Sequence, residues 1–330
     1  MTYLANVDRY CSGMEYRRAG TSGILLPEIS LGLWHNFGDV DIYSCCRERI
    51  LYAFDHGITS FDLANNYGPS VGSAEETFGR VVNESLRAYR DELFISTKAG
   101  HDMWPGPYGS WGSRKHLIAS IDQSLRRMQL DYVDIFYSHR YDPNTPLRET
   151  MQALVDIVKQ GKALYVGLSK YPYQVAQEAY AYLWEHDTPC LLYQGKYNLV
   201  NREPEFKGLI GQAKENGSGF IAFSPLAQGL LTGRYIHGIP ADSRIARGGF
   251  LKKEALTPDW IRKIQELSLI AERRGQSLAQ MSLAWLLKNE EVTSVIVGAS
   301  SVRQLAENIN SITNVSFDTA ELQDIENILL

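Results

Sequence analysis

The 330-residue sequence contains only four cysteines, which are Cys11, Cys45, Cys46 and Cys190. They show neither the density of a secreted disulfide framework nor the C-x-x-C spacing of a zinc or redox site. The seven histidines show no ligand spacing, and the H-E-x-x-H and G-x-S-x-G motifs are absent. The sequence therefore predicts reduced structural thiols and no metal site, and it disfavours a metal or serine hydrolase.

Long hydrophobic runs and an excess of one charge are also lacking. The 33 basic and 38 acidic residues give a formal net charge of -5, without a basic block that would attract a phosphate backbone. No apolar run reaches bilayer length, and Asn6, Asp8 and Arg9 interrupt the N-terminal segment where a signal peptide needs an apolar core. These features predict a soluble, cytoplasmic protein with no nucleic-acid or membrane partner.

Short apolar, β-branched runs alternate with longer segments of helical period. The runs that predict strands are 28–31, 59–63, 93–98, 133–139, 163–168, 191–194, 219–224 and 294–297. The segments that predict helices are 43–56, 73–83, 113–128, 147–160, 173–185, 205–216, 259–274, 277–287 and 302–312, with Ser113 as an N-cap. This alternation is typical of βαβ units and a parallel sheet.

Eight strands interleaved with helices favour closure into a barrel. The alternative is an open doubly wound sheet, which normally carries a G-x-G-x-x-G turn after an early strand, and this sequence has none. We therefore expect an α/β fold, a (β/α)8 TIM barrel with long loops at its C-terminal face, preceded by a β-hairpin of segments 16–18 and 24–26. No linker or repeat divides the chain, so residues 1–330 are expected to form a single domain.

Three consecutive predicted strands end on a polar or charged residue. These residues are Asp62, Lys98 and His139, and Tyr67 follows Asp62 on the next loop. Active sites of (β/α)8 barrels lie at the C-terminal ends of the strands. Neighbouring strands are about 4.8 Å apart, so the four side chains are expected within roughly 10 Å of one another.

Each of these residue types has a chemical reason to be in such a cluster. The ammonium of Lys98 would lower the pKa of the Tyr67 phenol from about 10 and make it a better proton donor. Asp62 would compensate the buried charge of Lys98, and His139 would orient a substrate carbonyl. The alternative for any one of them is an ordinary salt bridge, but their joint occurrence favours catalysis.

A second group of residues follows the eighth predicted strand. The segment SVIVGASSVRQLAEN runs through Gly298 and Ser300 into a helix that carries Arg303, Gln304 and Asn308. Barrels often bind phosphate here, because exposed N–H groups and the helix dipole favour an anion. A plain helix start with a solvated arginine is the equally open alternative.

The segments FDLANNYG, STKAG and YVDIFYSH resemble the signature regions of the aldo-keto reductase superfamily. The resemblance extends over nearly the whole chain through LGLWHNFG, GLSKY, YQGKYN, FSPLAQGLLTGRY and GASSVRQLAEN. Within the superfamily, the chain is similar to the branch that contains potassium-channel β-subunits, and especially to the bacterial L-glyceraldehyde 3-phosphate reductases, to which HDMWPGPYGS also points.

The resemblance implies an NADPH-dependent reductase with a catalytic tetrad of Asp62, Tyr67, Lys98 and His139, in which Tyr67 is the general acid. The positions that match the cofactor site are Gly32, Leu33, Trp34, Asp62, Ser169, Gln194, Phe223, Ser224, Pro225, Leu226, Gln228, Gly229, Arg234, Arg244, Gly298, Ser300, Gln304, Glu307 and Asn308. Ser169 and Gln194 would bind the carboxamide, and residues 224–234 would follow the pyrophosphate. Arg244, Ser300 and Gln304 would hold the 2'-phosphate, whose geometry guanidinium matches bidentately.

Two residues depart from the pattern of the relatives. Lys170 follows Ser169 where the wider superfamily has asparagine, which puts the carboxamide contact in doubt. His139 stands where channel β-subunits have asparagine. The histidine favours a working reductase over the competing hypothesis, an NADPH-binding module that regulates a membrane or soluble partner with little turnover.

Trp34, Tyr67, Trp104 and Arg140 are expected to line a pocket for a small carbonyl substrate, with Arg140 available to an anionic group. Ordinary packing of aromatic loops is the alternative. The resemblance points to substrates such as glyceraldehyde 3-phosphate or methylglyoxal, and broad specificity is equally compatible with it. A homo-oligomer, such as the tetramer of the channel-type relatives, is a further expectation.

Overall fold

The computed structural model describes residues 3–11, 13–236, 238–240, 245–246 and 253–329. It begins with an antiparallel hairpin of β1 (Tyr16–Arg18) and β2 (Leu25–Pro27). Eight parallel strands follow: β3 (Ile29–Gly32), β4 (Ser60–Asp62), β5 (Phe94–Ala99), β6 (Val133–Ser138), β7 (Ala163–Ser169), β8 (Cys190–Lys196), β9 (Gly219–Phe223) and β10 (Val292–Val297). Because β10 pairs with both β9 and β3, the sheet closes into a barrel. The predicted (β/α)8 barrel and its hairpin are confirmed.

The α-helices of the described residues cover the outside of the barrel. They are α1 (Tyr43–Asp55), α2 (Ser73–Val81), α3 (Arg114–Met128), α4 (Leu147–Lys159), α5 (Tyr173–Glu185), α6 (Glu203–Phe206), α7 (Leu209–Glu215), α8 (Pro258–Arg273), α9 (Leu278–Leu287), α10 (Val302–Ile309) and α11 (Thr319–Leu329). The predicted cap is present, since the Ser113 side chain accepts a hydrogen bond from the backbone N–H of His116. Among the described residues, no helix is both long and apolar enough to cross a bilayer.

The barrel strands are buried on both faces, which explains their composition. Every residue of β5, β6 and β10 is buried, as expected for parallel strands that have helices outside and side chains inside. Polar side chains of the barrel strands form hydrogen bonds across the interior of the barrel. Gln194 on β8, for example, donates a hydrogen bond to Asp62 on β4.

The hairpin lies at the N-terminal ends of the last two strands. Arg17 donates to the carbonyl oxygens of Leu287 at 2.7 Å and Val292 at 2.9 Å, and the backbone N–H of Thr21 donates to Gly217 at 3.0 Å. Because this end of the barrel is occupied, the polar strand ends at the opposite face are the open ones.

Some predicted element bounds are wrong. The predicted helix 205–216 is two helices, because Gly208 has a φ of 71° between them, a left-handed conformation that ends a helix. Segment 73–83 continues beyond α2 as a π-turn and a 3-10 turn, to Glu92. Helix α11 was missed, because only Ile325 among its residues is buried and the apolar period is weak.

Candidate active site

The centre of the site is a buried ion pair between neighbouring strands. Lys98 Nζ donates to Asp62 Oδ2 at 2.6 Å and to the carbonyl oxygen of Leu63 at 2.7 Å. Its third contact is the Tyr67 hydroxyl at 3.4 Å. The Lys98 side chain has no exposed surface, so a full set of three acceptors is what allows the ammonium to be buried.

Asp62 is held from three sides. Besides Lys98, it accepts hydrogen bonds at Oδ1 from Ser96 Oγ at 2.8 Å and from Gln194 Nε2 at 3.0 Å. These donors fix the carboxylate in one orientation beneath the strand ends. The Gln194 amide, which the resemblance assigns to the cofactor carboxamide, donates a hydrogen bond to Asp62 in this structure.

Tyr67 does not have the lowered pKa that the sequence predicted. Burial and the Asp62 carboxylate raise the pKa of the phenol well above its ordinary value. The prediction was wrong because it considered only the effect of the Lys98 ammonium on the phenol; burial of the phenol and the charge of the Asp62 carboxylate both favour the protonated form. Tyr67 is consequently a neutral phenol that retains its proton at neutral pH.

His139 lies immediately after β6 and faces Tyr67. The two ring centroids are 5.9 Å apart in an edge-to-face arrangement. Burial, followed by the nearby charges of Lys98 and Lys170, lowers the pKa of His139 well below its ordinary value. Among the described residues, Nδ1 of this neutral imidazole is buried and has no hydrogen-bond partner.

A cavity of about 470 Å³ extends from this cluster to the N-terminal end of α10. All predicted cofactor residues line it except Leu33, Ser169, Gln194 and Arg244. Leu33 is packed in the hydrophobic core, Ser169 and Gln194 are buried at the ends of β7 and β8, and Arg244 lies outside the described residues. The cavity thus joins the strand-end cluster with the predicted phosphate region.

Seven lining residues were not predicted for the cavity, namely His35, Asn36, Tyr235, Ser277, Ala279, Ile296 and Val297. Ser277 illustrates the reason. The sequence marks it only as the start of a helix, and it does have a capping box with Gln280. Its proximity to the cavity depends on how α9 packs, which no local pattern encodes.

The described residues at both ends of the cavity fit an elongated dinucleotide. At one end, the carboxylate of Asp62 and the hydroxyl-bearing side chain of Tyr67 line the cavity and offer polar groups to a ligand. At the other end, the backbone N–H and the hydroxyl of Ser300 both lie 2.9 Å from Gln304 Oε1, beside the N-terminus of α10, where an anion is favoured. Between the two ends, Ser224, Ala227 and Gln228 have positive φ values of 54°, 47° and 61°. Such strained backbone conformations often occur in ligand-binding loops.

One buried arginine connects two walls of this cavity. Arg49 on α1 donates to the carbonyl oxygen of Ser300 at 2.7 Å and to that of Asn36 at 2.5 Å. Its guanidinium lies 4.7 Å from the centre of the Phe37 ring. Since Ser300 and Asn36 belong to loops after β10 and β3, Arg49 holds the two loops together.

The predicted substrate pocket is only partly brought together. Trp34 and Tyr67 line the cavity, with ring centroids 6.5 Å apart. Trp104 packs against His116 at 5.0 Å and does not line it. Arg140 does not line it either, and its guanidinium lies 3.6 Å from the centre of the Trp111 ring. No group of three or more potential metal ligands is found in the described ranges.

Comparison with known proteins places this geometry in a family. Residues 28–330 match the sequence model of the aldo/keto reductase family. The L-glyceraldehyde 3-phosphate reductase of Escherichia coli O157:H7 is 56% identical over 331 residues, which cover 99% of this chain and 95% of that protein. A probable voltage-gated potassium channel subunit beta of Arabidopsis thaliana is 36% identical, with coverage of 96% and 97%. The chain is therefore an oxidoreductase of the aldo/keto reductase family.

Proposed function

We propose that this enzyme reduces small aldehydes and ketones to alcohols with NADPH and that Tyr67 is the general acid. The observation that carries the proposal is the buried Asp62–Lys98–Tyr67 network, which lies with His139 at one end of a cavity suited to a dinucleotide. The family membership supports carbonyl reduction.

Reduction adds a hydride to the carbonyl carbon, which a reduced nicotinamide nucleotide supplies when bound, and a proton to the carbonyl oxygen. Tyr67 is protonated in the resting protein and donates this proton. The phenolate that remains is 3.4 Å from the Lys98 ammonium, so its negative charge is stabilised as it develops. Asp62 keeps Lys98 charged, and neutral His139 directs the carbonyl oxygen towards Tyr67 through its N–H group.

The preference for NADPH over NADH rests on Ser300 and Gln304, which lie at the N-terminus of α10, and on the resemblance, which assigns Arg244 to the same phosphate. For the substrate, the name of the Escherichia coli relative supports L-glyceraldehyde 3-phosphate. Methylglyoxal and a broad range of small aldehydes are further candidates.

Oxidation of NADPH, followed by its absorbance, tests the proposal with glyceraldehyde 3-phosphate, methylglyoxal and 4-nitrobenzaldehyde, and with NADH as the comparison. Turnover that favours NADPH is expected. Tight NADPH binding without turnover of any aldehyde would instead support the regulatory module, which the channel-subunit relative suggests. Light scattering on the same preparation tests the expected homo-oligomer.

Arg49→Met is expected to weaken NADPH binding about tenfold or more. Removing the guanidinium takes the charged donor away from the carbonyl oxygens of Ser300 and Asn36, where a hydrogen bond to a charged group contributes about 1.5–3 kcal/mol, and releases two loops of the cavity. Fluorescence titration measures the Kd. Arg47→Met is the matched control on the same helix, because Arg47 contacts Ser85 instead; equal Kd values for the two variants would refute the role of Arg49.

For a neutral aldehyde, protonation of His139 should cause no change in kcat/KM as the pH is lowered from about 8 to about 6. The pKa of His139 lies well below its ordinary value, so the imidazole stays neutral throughout this range. The pH profile of kcat/KM with methylglyoxal measures it. A fall in wild type near pH 6.5 that disappears in His139→Asn would contradict the buried, neutral histidine.

A further inference from the structure

Cationic side chains lie around the barrel mouth outside the tetrad. Lys170 follows β7 directly and has a φ of 58°, a strained conformation for a residue with a side chain. Its Nζ atom is 3.2 Å from His101 Nε2. The ring of His101 in turn lies edge-on to that of His139, with centroids 4.4 Å apart. His101 therefore places Lys170 one side chain away from the position of the substrate carbonyl.

The charges in this region are not balanced by carboxylates. An ammonium can only donate, so His101 Nε2 is the acceptor and the ring is neutral; burial and the charge of Lys170 also lower the pKa of His101 to about 4. Arg140 has Asp102 at 3.8 Å, but the Asp102 side chain is 92% exposed, which makes the pair weak. Among the described residues, Lys170 forms no ion pair with a carboxylate. The mouth thus carries surplus positive charge.

We propose that Lys170 and Arg140 form a subsite for an oxyanion group of the substrate, so that the enzyme selects phosphorylated or carboxylated aldehydes over neutral ones. The inference rests on the proposed function, because it needs the carbonyl to lie between Tyr67 and His139. An anionic group a few bonds from that carbonyl then reaches past His101 to Lys170.

The conformations of both cations suit this role. Arg140 is held in place by stacking on Trp111 and by a hydrogen bond from its Nε atom to the carbonyl oxygen of Gly100 at 2.8 Å. Lys170 Nζ bonds to His101 and lies 5.3 Å from the centre of the Phe223 ring. Two positioned cations lose little side-chain entropy when an anion binds. Lys170, which replaces the asparagine of the wider superfamily, is therefore held by His101 and Phe223 at the side of the mouth where we place the substrate.

The subsite also predicts a pH dependence. The charged and titratable groups that face Lys170 are Lys98 and Asp62 inside the barrel, His101 and His139 beside it, and Arg140. Burial, and then the charges of Lys98 and Arg140, lower the pKa of Lys170 to about 8. The ammonium is present below this pH and lost above it, whereas a phosphate ester, with a second pKa of about 6, is already almost fully ionised at about pH 8. For an anionic aldehyde, kcat/KM should therefore fall above about pH 8.

The test compares kcat/KM for glyceraldehyde 3-phosphate, succinic semialdehyde and methylglyoxal, which carry a phosphate, a carboxylate and no charge. Lys170→Met should lower the ratio of kcat/KM for an anionic aldehyde to that for methylglyoxal by roughly tenfold or more, mainly through KM, and Lys170→Arg should restore most of it. Lys159→Met at the exposed end of α4 is the matched control. Inorganic phosphate should compete with methylglyoxal in wild type and less in Lys170→Met.

A fall in the ratio for glyceraldehyde 3-phosphate alone assigns the subsite to phosphate, and a fall for succinic semialdehyde alone assigns it to carboxylate. Ratios that match those of Lys159→Met, or an equal loss on all three aldehydes, would overturn the subsite while leaving the reductase activity of wild type standing. Failure of wild type to turn over even methylglyoxal would be a failure of the proposed function instead.

Discussion

Replacing Tyr67 with phenylalanine should lower turnover by about 10²–10⁴-fold, the usual contribution of a positioned proton donor. The substitution removes only the hydroxyl. The ring that packs near Trp34 and His139 is retained, so the cavity keeps its shape and NADPH binding should be unchanged. Single-turnover oxidation of NADPH measures the chemical step, and fluorescence titration measures the Kd.

Tyr182→Phe is the control for loss of a tyrosine hydroxyl elsewhere. Tyr182 lies on α5, and its hydroxyl donates to Gln152 on a neighbouring helix. This variant should turn over like wild type. Comparable turnover by Tyr67→Phe and Tyr182→Phe would remove Tyr67 from the mechanism.

Lys98→Met should lower the free energy of unfolding by about 3–5 kcal/mol, as is typical when one partner of a buried ion pair is removed. The Asp62 side chain is only 6% exposed, so its carboxylate loses its counterion without gaining water. Ser96 and Gln194 remain as donors to the carboxylate, but neither carries a charge. Urea denaturation measures the change, and activity should be lost as well, because the phenolate of Tyr67 is no longer stabilised.

The comparison variant is Lys162→Met, which breaks a salt bridge with Asp122 of similar length, 2.7 Å, between partly exposed side chains. Its cost should be below about 1 kcal/mol. The double variant Asp62→Asn/Lys98→Met should cost less than the sum of its two single variants, because no uncompensated charge remains. Additive costs, or equal costs for Lys98→Met and Lys162→Met, would show that the buried pair is not coupled.

The polar residues at the strand ends could be predicted from the sequence, because each one ends an apolar run. Asp62, Lys98 and His139 follow runs of buried residues, and the barrel rule places such ends on one face. Tyr67 was found by its distance along the chain from Asp62. The cavity lining was predicted mostly by family resemblance, since residues such as Gln228 or Asn308 carry no local signal of their own.

Arg49 shows what local reasoning misses. It lies in an amphipathic helix among other charged residues, where an arginine is ordinarily solvated. Only the packed structure shows that it is buried and donates to two loops that are far apart in sequence. The raised pKa of Tyr67 has a similar origin, because it depends on burial and on the nearby Asp62 carboxylate.

By itself, the sequence determined the succession of strands and helices, the closed barrel and the face on which the polar strand ends lie. These properties follow from the periods of apolar residues and from the geometry of parallel strands. The tertiary structure alone decided which side chains meet across the barrel, which charges neutralise each other, and that Lys170 lies beside His101. Such contacts join residues that are distant in sequence, and their energies depend on burial and distance, which no local pattern contains.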